Sequence, residues 1–421
     1  MTGFRAGAGR AEIRYPDDVW PLDGFSGTHD PLFVRVVVLD GTQQLVWAVL
    51  DQTSLAPEPL ARVRDVIAEI AGVADRQVVV SVTHTFSAPH LADPATLDDP
   101  GLAERMRVAR LAVFAAVADA THDAVRTLRP ATLGVGCGGS DVNVNRDVET
   151  SAGWTLGLSA DGYSDPTLVV VRLDDADARP IAVLVNHAVQ PSATNVPGDA
   201  ARPASADLAG VAVRRIEAET GAVACFLIGA AGDQAPNPAA AGVGLTDSAP
   251  DEGGFLLAER LGDRLGEAAL AAWRATASAP CAPDLRVHEG LVRVGGQRAT
   301  PRQDIRPTRV HAYRPEPPRD LPYWVLGLGE VAVVGVQVEL SAATGRRLRE
   351  GSPFPHTVVA TMVNGAAKYL PDAGAFDRFT YEAQSSHYAR GAAEALTRRI
   401  GVHLHELHAA ARPDPHQGDS T

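Results

Sequence analysis

The stretch Val78–His90, VVVSVTHTFSAPH, decides how the rest of the chain is read. Val78, Val79, Val80 and Val82 form a short β-branched run broken only by Ser81, the mark of a strand buried on both faces. Thr83, His84, Thr85, Phe86 and Ser87 follow without a spacer, and Pro89 ends regular pairing. An imidazole therefore stands where a buried strand runs out into a loop. In open α/β sheets, ligands and catalytic groups collect at the carboxyl ends of strands. Taken alone, such a histidine reads first as a satisfied strand-end side chain, so the surrounding sequence has to weigh the two readings.

Working outward, Phe33–Leu39 and Gln44–Leu50 read as adjacent strands, the second ending in Asp51. Residues 59–72 carry apolar residues at helical spacing (Leu60, Val63, Val66, Ile67, Ile70) and close on Gly72. Beyond His84, residues 101–128 give a long helix with a stripe through Leu102, Met106, Ala109, Val113, Val117, Ala120 and Ala124. Ile181–Val185 repeats the layout around His84: a buried strand, then Asn186, His187 and Gln190, then Pro191. Val223–Ile228 is a strand that runs into GAAGDQAPN at 229–237. Further helices are expected over 207–220, 255–275 and 389–411. Residues 280–322 are richer in Pro and Arg and read as strands with excursion loops, Leu326–Leu340 as a pair of β runs holding Glu339, and Val358–Val363 as a strand. Strand and helix patterns alternate without a linker. That predicts an α/β fold of mixed sheets flanked by helices, one large catalytic domain over 1–411 with Val78–Val82 as its central strand, and a disordered tail at 412–421.

The 421 residues carry a net charge of −13 with no basic stripe, which argues against a nucleic-acid partner. Lys368 is the only lysine, which points to a high-GC coding sequence rather than to a function. Cys137, Cys225 and Cys281 are odd in number and widely spaced, so neither a disulfide framework nor a thiolate metal cluster is indicated. No apolar run is long enough to span a membrane, and the N-terminal segment has no secretory apolar core, so a cytoplasmic protein is expected. GVGCGG at 134–139 matches a dinucleotide-loop pattern but runs into DVNVN instead of a helix. GxSxG, HExxH and Walker A motifs are absent.

A constellation of weaker pieces is more specific than any of these. GAGRAEI at 7–13, HDPL at 29–32, SVTHTFSAP at 81–89, NRD at 145–147 and DGYSDPTLVVVRL at 161–173 fall in one order. NHAVQP at 186–191, GAAGDQAPN at 229–237, Glu339 ahead of Ser352-Pro353-Phe354, Asn364 to Tyr369 and Tyr381-Glu382-Ala383 continue it. In this order the chain resembles the N-terminal catalytic domain of the neutral/alkaline non-lysosomal ceramidases. The resemblance implies a zinc amidase, in which metal lowers the pKa of bound water and polarises the scissile carbonyl. By position it implies His84, Gln190, Glu339 and Tyr369 as metal ligands, with Arg146 and Tyr381 facing the amide oxygen. Gly24, Asp51, Phe86 and Asp233 are carried over as substrate-binding residues, and the β-sandwich domain that larger members carry after this one is not expected here.

The departures bear on the chemistry. Phe86 stands where the family has a second histidine of its T-H-T-H motif, and Ala235 where it has a serine. Gln190 replaces the second histidine ligand and Val338 the glycine before the glutamate. An amide oxygen is a poorer zinc ligand than imidazole. His187 lies three residues before Gln190 and joins the ligand set only if the strand has broken before Pro191, because alternation otherwise turns it to the other face. Two expectations follow. One is a metal-assisted amidohydrolase acting on an N-acylated small molecule or lipid, its zinc weakly held. The other is a relative that has lost zinc and binds, rearranges or condenses a small metabolite in the same pocket. The oligomeric state stays open.

Overall fold

The structure is a computed structural model describing residues 3–195, 202–242, 250–280 and 284–410. The expected tail at 412–421 lies outside the described residues. The fold is mixed α/β, with several sheets flanked by helices in one domain, as the sequence predicts.

A nine-stranded mixed sheet forms the first layer. Its path runs from Val223–Ile228 through Pro180–His187, Thr167–Asp175, Arg129–Gly139, Arg5–Glu12, Phe33–Asp40 and Gln44–Leu50 to Val78–Val82. Helices Pro57–Ala71, Pro100–Arg126, Asp207–Thr220 and Pro250–Arg274 cover one face through a core of Val, Leu, Ile and Ala. The predicted stripe on Pro100–Arg126 is buried from Met106 to Ala124. That helix lies directly on the first strand because Gly7 and Gly9 leave room: a Cβ on either would stand 2.2 Å from a helix carbonyl oxygen, Ala124 or Ala120. The GAGR stretch is thus a packing device.

The other face packs on a second sheet of four strands: Leu285–Gln297, Pro315–Leu328, Val331–Val336 and His356–Ala360. Trp47 and Trp324 meet edge to face across this inter-sheet core, with ring centroids 5.6 Å apart. Helices Ala342–Glu350 and Ala392–Ala410 close the far side. The result is four layers, helix, sheet, sheet and helix.

Two expectations need correction. Val78–Val82 is not central: it is the last strand on the sheet path. It is buried all the same, because the chain after His356–Ala360 covers its edge. Asn364 N–H donates to Val80 O at 2.7 Å, and Asn364 Oδ1 accepts from Val80 N–H at 2.9 Å. An edge capped in this way has the same apolar sequence as an interior strand. Glu339 also leaves the pair of β runs: those strands end at Val336, and Glu339–Leu340 instead forms a separate two-residue parallel bridge with Tyr369–Leu370.

Candidate active site

The expected residues come from distant segments, and most of them meet. The strand Val78–Val82 ends directly before Thr83, and His84 adopts a left-handed backbone with φ 64°. A non-glycine residue pays strain in that region unless its surroundings fix it. Two contacts do so. Nδ1 lies 2.6 Å from the carbonyl oxygen of Thr53, and Phe86 packs edge-on to the imidazole at 4.8 Å. A carbonyl only accepts, so Nδ1 carries a proton, and in the neutral ring the lone pair is on Nε2. Nε2 is buried, has no hydrogen-bond partner among the described residues and stands 3.4 Å from Glu339 Oε2.

Gln190 follows the end of the strand Pro180–His187 and joins the next two groups. Its Oε1 accepts from Arg146 Nη1 at 2.7 Å, and its Nε2 donates to Glu339 Oε2 at 2.9 Å. The partners fix this amide orientation, since guanidinium only donates and carboxylate only accepts. Arg146, on the strand Asn143–Thr150, also grips Glu382 Oε1 through Nε at 2.8 Å and Nη2 at 2.7 Å. Its Cζ lies 5.2 Å from the centre of the Tyr369 ring and 6.0 Å from that of Tyr381. Burial, reinforced by the Glu339 charge, pushes the Tyr369 phenol well above its usual value, so it keeps its proton; the Arg146 charge, across the ring face, favours the phenolate and opposes the shift.

Glu382, which follows Tyr381 on the helix Tyr381–Ser385, faces Asp147. Burial and the Glu382 charge raise the Asp147 carboxyl to about 9, while Arg378 opposes the shift. Asp233 receives the Ala342 N–H on Oδ1 at 2.8 Å, capping the helix Ala342–Glu350, and burial raises its carboxyl to about 6. Asp233, Glu339 and Glu382 line one cavity with Asp147.

Three expected residues take other places. His187 ends its strand with Nδ1 on the carbonyl of Thr167 at 3.0 Å, and the charges around it are Asp165, Arg349 and Asp141. It is not drawn to His84, because the strand runs through His187 and breaks only after it. Asp51 accepts from Arg35 Nη1 at 3.2 Å and from Phe33 N–H at 2.9 Å, in a buried network that Glu217 completes. It supports the segment that carries Thr53. Gly24 lies at the surface with φ 82° and accepts the Arg202 N–H, while the Arg202 guanidinium donates to Phe86 O at 2.9 Å.

Sequence reasoning assigned no role to Glu382, Asp147 or Thr53. Glu382 had a usable signal: an arginine in a buried strand needs a carboxylate, and one follows Tyr381 directly. Thr53 acts through its backbone and had none.

These residues do not fit a zinc centre. Among the described residues no group of three His, Cys, Asp or Glu side chains is arranged to hold a metal ion. His84 and Glu339 are two donors of the required kind. The third position, Gln190, spends its oxygen on Arg146 and its N–H on Glu339.

Two solved structures share this architecture. A neutral ceramidase from Pseudomonas aeruginosa superposes with a TM-score of 0.75 at 17% identity, covering 98% of this chain and 76% of its own. A ceramidase complexed with C2 gives a TM-score of 0.75 at 17% identity, covering 98% and 78%. The chain has the ceramidase fold. No family model and no curated protein sequence matches it. Among the described residues no helix is long and apolar enough to cross a membrane.

Proposed function

We propose that this chain is an amidohydrolase that cleaves the amide bond of an N-acylated small molecule without a resident zinc ion. The observation that carries the reading is His84 Nε2: buried, without a hydrogen-bond partner among the described residues, fixed in tautomer by Thr53 and beside the Glu339 carboxylate. Such a nitrogen is a general base for water. Water gives its proton to Nε2 as its oxygen bonds to the acyl carbon. The tetrahedral oxyanion faces the Tyr369 hydroxyl, with the Arg146 guanidinium over the ring and Tyr381 beside it. The C–N bond then breaks as protonated His84 returns the proton to the leaving nitrogen. Glu339 stabilises the transient imidazolium.

The ceramidase fold and the ordered motifs support amide chemistry. The experiment is release of primary amine from a panel of N-acyl amines and amino acids, with and without chelator. Chelator-insensitive turnover that disappears in His84→Ala is the expected result. Turnover that requires added zinc overturns the metal-free route, and no turnover on any amide overturns the hydrolase reading.

A second reading, a relative that condenses or rearranges a small metabolite, is favoured by one observation: Gln190 already holds Glu339 and Arg146 together where a metal-dependent site needs both free. Amide formation from amine and activated acyl donor in the same assay distinguishes it.

A further inference from the structure

Beside the His84 cluster lies a cavity whose charge does not suit a lipid. Asp147, Asp233, Glu339, Asp372 and Glu382 line it, with Arg378 as the cation among its lining residues. An acidic cluster alone says little, but Glu382 adds a second observation. It is 3% exposed, and while Arg146 takes Oε1, Oε2 is buried with only the Asp147 carboxyl facing it and no N–H donor among the described residues. Arg378 does not supply one: its Nη2 is 3.7 Å from Asp147, and its guanidinium lies over Trp154 at 5.0 Å.

Asp147, Asp233, Asp372 and Arg378 also line a cleft of about 800 Å³, so the cavity has an approach from outside. Trp154 and Tyr163 stand on the walls of that cleft. A protonated amine brings three N–H donors on a compact charge and can satisfy Glu382 Oε2 and Asp147 together. A neutral chain leaves the two carboxyls buried against each other with no cation between them.

We propose that this cavity binds a protonated amino group on the amine half of the substrate, making the substrate class N-acylated diamines rather than N-acyl lipids. The inference rests on the amide-bond reading above for the neighbouring bond, but not for the binding itself. The raised Asp147 carboxyl agrees with it: without a cation, two facing carboxyls hold a proton between them.

The test compares N-acetylputrescine with N-pentylacetamide, which differ by an ammonium in place of a methyl group. Binding is measured by calorimetry on the full chain, and amine release is measured in parallel. The diamine derivative is expected to bind about tenfold tighter or more, with the preference weakening in high salt and falling at least about fivefold in Asp147→Asn. Asp372→Asn, which can still cap the helix Ala373–Arg378, is a second variant for the same loss if Asp147→Asn does not fold. Equal binding of the two amides by the wild-type chain overturns the proposal. So does a preference that survives in folded Asp147→Asn and Asp372→Asn. Preference without amine release upholds the amine subsite and overturns the hydrolase reading; release from both amides without preference does the reverse.

Discussion

Gln190→His tests whether side-chain hydrogen bonds have replaced metal in this site. The substitution removes the acceptor of Arg146 Nη1 and the donor to Glu339 Oε2, at 2.7 and 2.9 Å in the wild type. Hydrogen bonds to charged groups contribute about 1.5–3 kcal/mol each, and part of both is recoverable by the new ring. A net loss of about 3 kcal/mol in the metal-free variant is therefore expected. The same change releases Glu339 and sets a second imidazole beside His84, whose Nδ1 is already oriented by Thr53 as a zinc ligand requires. With zinc at 100 times its dissociation constant, binding returns about 2.7 kcal/mol, close to what was lost. Urea unfolding with and without zinc reads both terms. The variant is expected to be destabilised in chelator and to recover near wild-type stability in zinc, while the wild type is unmoved by the metal. If zinc stabilises the wild type as strongly as the variant, the reasoning about Gln190 is refuted.

Three further outcomes are expected. Arg35→Ala leaves Asp51 a buried carboxyl without its guanidinium, while Glu217 keeps Arg10, and should cost about 3–5 kcal/mol in chemical unfolding, where a loss under about 1 kcal/mol contradicts the network. His84→Gly and His84→Ala should both abolish turnover, but the glycine variant should be more stable by about 1 kcal/mol because φ is 64°; equal midpoints contradict the strain. For Asp147 the folded carboxyl, at about 9, lies above its ordinary value, so its stabilising contribution is full at low pH and is lost as pH rises toward 9. Wild-type stability should fall by up to about 1.4 kcal/mol per pH unit between neutrality and pH 9 from this group, and Asp147→Asn should flatten that slope in pH-dependent unfolding.

The elements legible in the sequence are those whose pattern is set by one buried face. Pro100–Arg126 showed its stripe, and Pro57–Ala71 and Asp207–Thr220 closed where Gly72 and Gly221 adopt left-handed backbone. The short helices Ala342–Glu350, Ala373–Arg378 and Tyr381–Ser385 were not legible, because so few turns show no periodicity, and the first takes its cap from Asp233, more than a hundred residues away in sequence. Nor was the rank of Val78–Val82 within its sheet, since Val363 and Asn364 hide its edge from solvent and remove the polar residues an open edge needs. In the site, position was legible and partnership was not. His84, Gln190, Glu339, Arg146 and Tyr369 converge as the ordered motifs imply.

What each of those residues does depends on which neighbour takes its hydrogen bonds, and there Gln190 changes everything around it. An imidazole presents one lone pair and leaves the next carboxylate free. An amide presents an acceptor and a donor at once, so it ties Arg146 to Glu339 and makes the pair neutral without a cation. Arg146 is then held from both sides, by Gln190 and Glu382, and its charge serves Tyr369. Glu382 Oε2 is left facing the Asp147 carboxyl, where the cleft opens. Gln190→His, by freeing Arg146 Nη1, should therefore weaken the preference for N-acetylputrescine over N-pentylacetamide as it gains zinc.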